Sequence, residues 1–420
     1  MRTSLSAFAF SIIAISAYAQ TPAPAPLPPY EVPPVLDARV ILRPEFDRGY
    51  NFAVRPPVPT SKGLNHFTID TPDSGVNLAE GNTALIQRIA EIQAIAKLRE
   101  VSRSESYKEA LQRAAKSPLA LAQNLIEHPV GTVGEMGKGL WKSVNSIGQS
   151  VKEVGQGRKQ SKYEDSTMED VIGFSKAKRG IALSLGVDPY STNPELQKEL
   201  KSIAWAAYAG QMTLTGALMP VGGAVGLTLR SVNTGSQTYA ALRDLSPADL
   251  RLRNLKILLA MGVERAQANA FLNNPSLSPL HQTVIVDSLA QLRSAIGRAV
   301  YIKLATAAST ETEAIRYTRQ AQLLAAINRS QPISAVFNYR RAPLAMNQHG
   351  ALIIPLEWDY AAWTKESAGF LDVVKSGQIA GHKFSSVQLY LTGVASPTLK
   401  SVLAVNHIAL AEKALPGPLR

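Results

Sequence analysis

The chain has 420 residues, 45% of them hydrophobic, 18% charged and 6% aromatic, with 44 Lys and Arg against 32 Asp and Glu. Nearly half the residues can feed a core, which excludes a disordered or fibrous chain, and the length suggests two or three domains. Cysteine is absent, which excludes disulfides, thiolate metal sites, a cysteine nucleophile, iron–sulfur clusters and covalent c-type haem.

Residues 1–19 read as a cleaved signal peptide. Arg2 supplies the positive end, Ala7 to Ile15 the apolar stretch, and Ala17-Tyr18-Ala19 the small residues that a signal peptidase reads. The apolar run is shorter than the roughly 20 residues that a bilayer span needs. Export to the periplasm or beyond is the expectation, and without cysteine there is no site for a lipid anchor. From Thr21 to Pro59 the chain carries eleven of its 26 prolines. Proline fixes φ and removes a donor, so residues 20–76 read as a Pro-rich tether with a few extended pieces such as Val40-Ile41-Leu42 and Tyr50-Asn51-Phe52.

Helical signals then take over, and residues 77–328 read as a helical body. Leu85, Ile89, Ile92 and Ala96 recur at helical spacing. Ser117-Pro118, Asn193-Pro194, Ser246-Pro247 and Ser278-Pro279 each place a side-chain acceptor at the N-cap and a proline where no helical donor is lost. Gly186 and Gly262 read as helix ends. From 329 to 420 the pattern changes to a small α+β unit. Ser334 to Tyr339, Ala351 to Leu356 and Val387 to Leu391 suit strands, Gly350 a turn, and Ser396-Pro397 opens a last helix. The fold class expected is thus mainly α: a multi-helix body with a small C-terminal α+β unit, preceded by a signal peptide and a Pro-rich tether.

Two segments within the body raise the question of membranes. Residues 129–162 set Val130, Val133, Met136, Leu140, Trp141 and Val144 along one helical face. Six basic residues stand there against two acidic ones. Lys138, Trp141, Lys142, Lys152, Arg158 and Lys159 are the candidates for meeting anionic lipid or another partner. The competing account is a glycine-rich helix packed closely on a neighbour. Residues 202–229 carry no formal charge and are long enough to span a bilayer, yet Pro220-Val221-Gly222-Gly223 splits them, which favours a buried helical hairpin.

Motifs for chemistry are sparse. No nucleophile elbow, H-E-x-x-H or calcium loop occurs, and Gly137-Lys138-Gly139 lacks the rest of a phosphate loop. The one constellation for acid–base or metal chemistry is Glu357 and Asp359, two apart on one face, with His349 upstream and His382 downstream. Surface carboxylates and unrelated histidines would explain the same residues. No cofactor is implied. The net charge of +12 suits anionic lipid or an envelope polymer better than nucleic acid, because no basic run is interleaved with stacking aromatics.

The stretch Gly180 to Gly210, with Leu185-Gly186-Val187-Asp188-Pro189-Tyr190, Asn193-Pro194 and Ala204-Trp205-Ala206, resembles exported bacterial proteins of unassigned function, as does the preceding His128-Pro129-Val130 run. The resemblance implies export and no activity. The expected function is a non-catalytic cell-envelope protein that binds or scaffolds. Two other readings stay open: a membrane-associating protein using 130–162, with 202–229 as a further element, and a metal-dependent enzyme using the C-terminal cluster.

Overall fold

The computed structural model describes residues 28–116, 173–212 and 236–420. The first described stretch is a β-structure, against expectation. β1 (Val35–Asp37) is followed by two single turns of helix, α1 (Ala38–Ile41) and α2 (Pro44–Asp47). Then come β2 (Arg48–Gly49), β3 (Phe52–Val54), β4 (Pro57–Ser61), β5 (Leu64–Thr71) and β6 (Gly75–Glu80). β5 is the centre. It pairs β4 at its start, β3 at its end and β6 along its other edge, all antiparallel. Its residues alternate between buried and half-buried, with Phe67 and Ile69 inward.

This sheet overturns the mainly α expectation. Among the described residues helices account for 50% and strands for 21%, with a β-rich N-terminal region. Prolines hid it. In β4, Pro57 and Pro59 point outward while Val58 and Thr60 are buried, so the two missing donors fall on alternate positions. Ladder contacts are made on either side, where Ala38 N donates to Pro56 O and Thr60 N to Pro34 O. Hairpin signals were also present. Lys62 and Gly63 form a two-residue turn with φ of 51° and 83°, the geometry that joins twisted antiparallel strands without splaying them.

Over its described residues the helical body follows its local signals; Ser117-Pro118 lies outside them. α3 (Asn82–Ser102) and α4 (Glu105–Ala115) pack with α5 (Phe174–Ser184) and α6 (Pro194–Tyr208) around Leu98, Leu196, Leu200 and Ile203. Then come α7 (Ser236–Asp244), α8 (Pro247–Ala260), α9 (Arg265–Leu272), α10 (Pro279–Ala290), α11 (Arg298–Ala305) and α12 (Glu311–Ser330). Asn193, Ser246 and Ser278 each accept first-turn backbone N–H groups, with proline beside them. α6 ends at Tyr208, so most of the uncharged 202–229 stretch lies outside the described residues. No described helix is long and apolar enough to cross a membrane.

The C-terminal unit is a five-stranded mixed sheet in the order β15-β13-β9-β8-β7. β7 (Ile333–Tyr339), β8 (Ala342–Asn347) and β9 (Ala351–Leu356) run antiparallel. β8 is a strand that the sequence reading replaced with a turn. A short β10 (Tyr360–Ala361), then α13 (Lys365–Lys375) and the small hairpin β11 (Gln378–Ile379) and β12 (His382–Lys383), lead to β13 (Ser386–Leu391), parallel to β9. β14 (Val394–Ala395) and α14 (Pro397–Val405) lead to β15 (Ile408–Ala411), parallel to β13. Two successive crossovers in one direction place α13 and α14 on the same face. On that face Leu352 and Ile354 meet the α13–α14 core, while Ala351 and Ile353 meet α10, α11 and α12 on the other. The C-terminus is tied to the segment around α1 and α2. Arg43 N donates to Pro418 O and Arg420 N to Ile41 O.

Candidate functional site

Glu357 and Asp359 follow β9 and are both buried where three parts of the molecule meet: the N-terminal sheet, the start of α3, and α12. α3 begins after Gly81, which offers no side chain to cap it. The cap comes from a distant part of the chain instead. Asp359 Oδ2 accepts Asn82 N at 3.0 Å and Asn65 N at 2.9 Å. Thr83 Oγ1 donates to Glu357 Oε1 at 3.0 Å, and Asn65 Nδ2 donates to Asn82 Oδ1. Two carboxyls at a helix N-terminus use the positive end of its dipole. Arg319 on α12 supplies the opposing charge, its guanidinium donating to Gln322 Oε1 and Pro416 O. Burial pushes both carboxyls up, and the neighbouring Glu357 charge pushes Asp359 further, well above the usual range; Arg319 and the hydrogen bonds only partly oppose this. At Gly393 an added Cβ would lie 2.0 Å from Asp359 O, so only glycine lets that strand approach.

The histidines do not join this pair. His349 is exposed in the turn at the opposite end of β9, roughly 25 Å along the strand from Glu357 at 3.3 Å per residue. His382 stacks on Phe337, ring centroids 4.2 Å apart. Among the described residues no three His, Asp or Glu side chains form a group that could hold a metal ion. Lys138, Trp141, Lys142, Lys152, Arg158 and Lys159 lie outside the described residues.

Beside the carboxyl pair lies a polar cavity of about 70 Å³, bordered by Thr83, Glu91, Asp188, His281, Glu311 and Arg319 among others. Asp188 Oδ2 accepts from Ser278 Oγ at 2.8 Å and its Oδ1 from Tyr190 N. Burial pushes the Asp188 carboxyl up to about 6, with Glu91 and Glu311 adding repulsion. His281 Nδ1 faces the Ser278 amide and hydroxyl at 3.4 Å, and burial pulls its pKa down to about 4. Serine, histidine and aspartate do not form a nucleophilic triad here. The carboxyl contacts the serine and not the imidazole, and the hydroxyl is already the N-cap of α10.

The larger opening is apolar. A cleft of about 830 Å³ lies between the sheet face and the helices α13 and α14. Leu344, Ile354 and Leu389 form its roof, Leu371 and Val374 of α13 and Leu403 of α14 its floor, and Trp358 and Trp363 its end. Its exposed lining residues, Arg340, Lys365, Glu366 and Gly369, mark the mouth. Half-buried Tyr339 and Phe370 face each other there, 5.9 Å between ring centroids. Trp363 is held from behind by the chain's first described residues: its indole N–H donates to Pro28 O and its backbone N–H to Glu31 Oε2. Trp358 packs beneath the Lys62-Gly63 turn, where a Cβ on Gly63 would come within 2.7 Å of the indole.

Sequence reasoning found the carboxylates and missed the cleft. Its walls come from six strands, two helices and the connections between them, none carrying a local motif. The visible signal was indirect: two of the chain's four tryptophans within six residues, after a strand. No protein-family description matches the chain, and no curated protein or solved structure matches it.

Proposed function

We propose that this is an exported, non-catalytic binding protein of the cell envelope whose ligand enters the C-terminal cleft. The cleft carries this reading. Its volume of about 830 Å³ falls in the roughly 300–1,000 Å³ range of small-molecule sites, and its walls are aliphatic and aromatic with polar groups at the rim. A cavity of that size left unfilled forfeits packing, since close-packed interiors rarely tolerate voids larger than a water molecule. The signal-peptide pattern supports export, and the net charge of +12 favours an anionic surrounding.

The carboxyl junction is used structurally. Asp359 Oδ2 is committed to two backbone amides and Glu357 Oε1 to Thr83, which ties the carboxyls to the start of α3. The test is titration of the mature full-length chain with the neutral fluorophore N-phenyl-1-naphthylamine. Saturable binding with about one probe per chain, accompanied by a change in tryptophan emission, is expected. Absence of saturable binding would remove the reading.

A further inference from the structure

We propose that the ligand is a single-chain amphiphile with an anionic head group, its alkyl chain in the cleft and its carboxylate or phosphate between Arg340 and Lys365. The proposal rests on the reading of the cleft as a binding site. A volume of about 830 Å³ lies within the range of small-molecule sites and has room for an alkyl chain of the lengths tested below.

Charge decides the head group. Arg340 and Lys365 both line the cleft and are exposed. Neither has a carboxylate within ion-pair distance among the described residues, as is also true of Arg341 and Lys375; what sets Arg340 and Lys365 apart is that both line the cleft. The one lining acid, Glu366, accepts from its own backbone N–H and the Thr364 hydroxyl at the helix start, with the Lys365 charge nearby but not within ion-pair distance. The Arg340 guanidinium lies over the ring of Tyr339, which also lines the cleft, 5.4 Å from its centroid.

Both cations also sit where the local backbone disfavours them. Arg340 and Arg341 form a two-residue turn with φ of 48° and 69°, positions that Asn-Gly occupies with far less strain. Lys365 is the first residue of α13, at the positive end of a helix dipole that favours acids. Two cations against local preference, facing one apolar cleft, are what an anionic head group at that spot would explain. A bound anion would gain from both charges and from the helix terminus together.

Gly369 completes the arrangement. It lies within α13 and lines the cleft, and a Cβ added there meets nothing within 4 Å. The helix wall is therefore open at this point.

The experiment is displacement of N-phenyl-1-naphthylamine from the full chain by dodecanoate, dodecyl phosphate, dodecanol and dodecylammonium at low salt. Dodecanoate and dodecyl phosphate should bind about five- to tenfold tighter than dodecanol, as expected for two partly exposed charge contacts, and dodecylammonium weakest. Each methylene added between octanoate and dodecanoate should tighten binding about fourfold. The double variant Arg340→Asn with Lys365→Gln should erase the preference for anions and keep dodecanol affinity; asparagine tolerates the positive φ at 340. Gly369→Trp, or Ala342→Trp from the opposite wall, should abolish binding of all four. If dodecanol or dodecylammonium matches dodecanoate, the head-group assignment is wrong while the cleft still binds. If none of the four displaces the probe, or the tryptophan variants bind normally, the ligand site itself is wrong.

Discussion

The buried polar junction and the apolar cleft share one segment, Glu357 to Trp363, and are built on opposite principles. Along it Glu357 and Asp359 enter the junction, while Trp358 lines the cleft and also borders a smaller opening beside Glu357. In the junction most polar groups are satisfied and the space left is small. In the cleft the walls are apolar and the space is large. The contrast shows that the carboxylates hold the N-terminal sheet and α3 to the C-terminal unit, and so set one wall of a site whose chemistry lies on the other side of the chain.

The strongest way to break that comparison is at Asp359. Asp359→Ala leaves the Asn65 and Asn82 amides buried without an acceptor, at about 1–3 kcal/mol each. Urea unfolding should therefore show a loss of about 4 kcal/mol. Asp359→Asn keeps one acceptor oxygen and should lose less than half of that. An alanine variant as stable as the parent would mean that the junction does not tie the parts together.

Next comes the pH response of the polar cavity. The Asp188 carboxyl is raised from 3.8 to about 6, so the fold holds its proton more tightly than the unfolded chain does. Its contribution is present below pH 4 and is lost as pH rises to about 6, about 3 kcal/mol in all. His281 is lowered from 6.5 to about 4, so the unfolded chain protonates first. Its contribution is present above pH 6.5 and is lost as pH falls to about 4, again about 3 kcal/mol. The two slopes oppose each other between pH 4 and 6. Relative to the parent, the pH dependence of the urea midpoint in that window should tilt upward with pH in Asp188→Asn and downward with pH in His281→Asn.

Smaller effects sharpen the cleft side. Gly63→Ala forces a side chain at φ 83° against the Trp358 indole and should cost about 2 kcal/mol. It should also shift tryptophan emission, because the added Cβ would lie 2.7 Å from the indole. Gly369→Ala should have the smallest effect and the opposite sign. It meets no neighbour, so it should stabilise by about 0.5–1 kcal/mol through helix propensity, visible as a small rise in melting temperature.

Legibility followed the range of the interactions. Ser278 and Ser246 announced their helices because an N-cap bonds three residues ahead. The strands at 333–339, 351–356 and 386–391 were visible as β-branched and aromatic runs. β4 and β5 were obscured by proline-rich composition, although the Lys62-Gly63 turn and the Phe67, Ile69 alternation were there to be read. β8 was lost because Arg340-Arg341 lacks the usual residues of a tight turn. For the candidate site, Glu357 and Asp359 stood out as a pair on one face, which they are, yet their partners did not.

What the sequence by itself determined is local: the lack of thiol chemistry and the helix starts at Asn193, Ser246 and Ser278. Tertiary structure alone decided that Asp359 caps a helix 277 positions away, that His349 and His382 stay apart from it, and that α13 and α14 enclose a cleft. The physical reason is the range of the forces involved. Caps and turns close within a few residues, whereas buried charge and enclosed apolar space exist only once distant segments have packed.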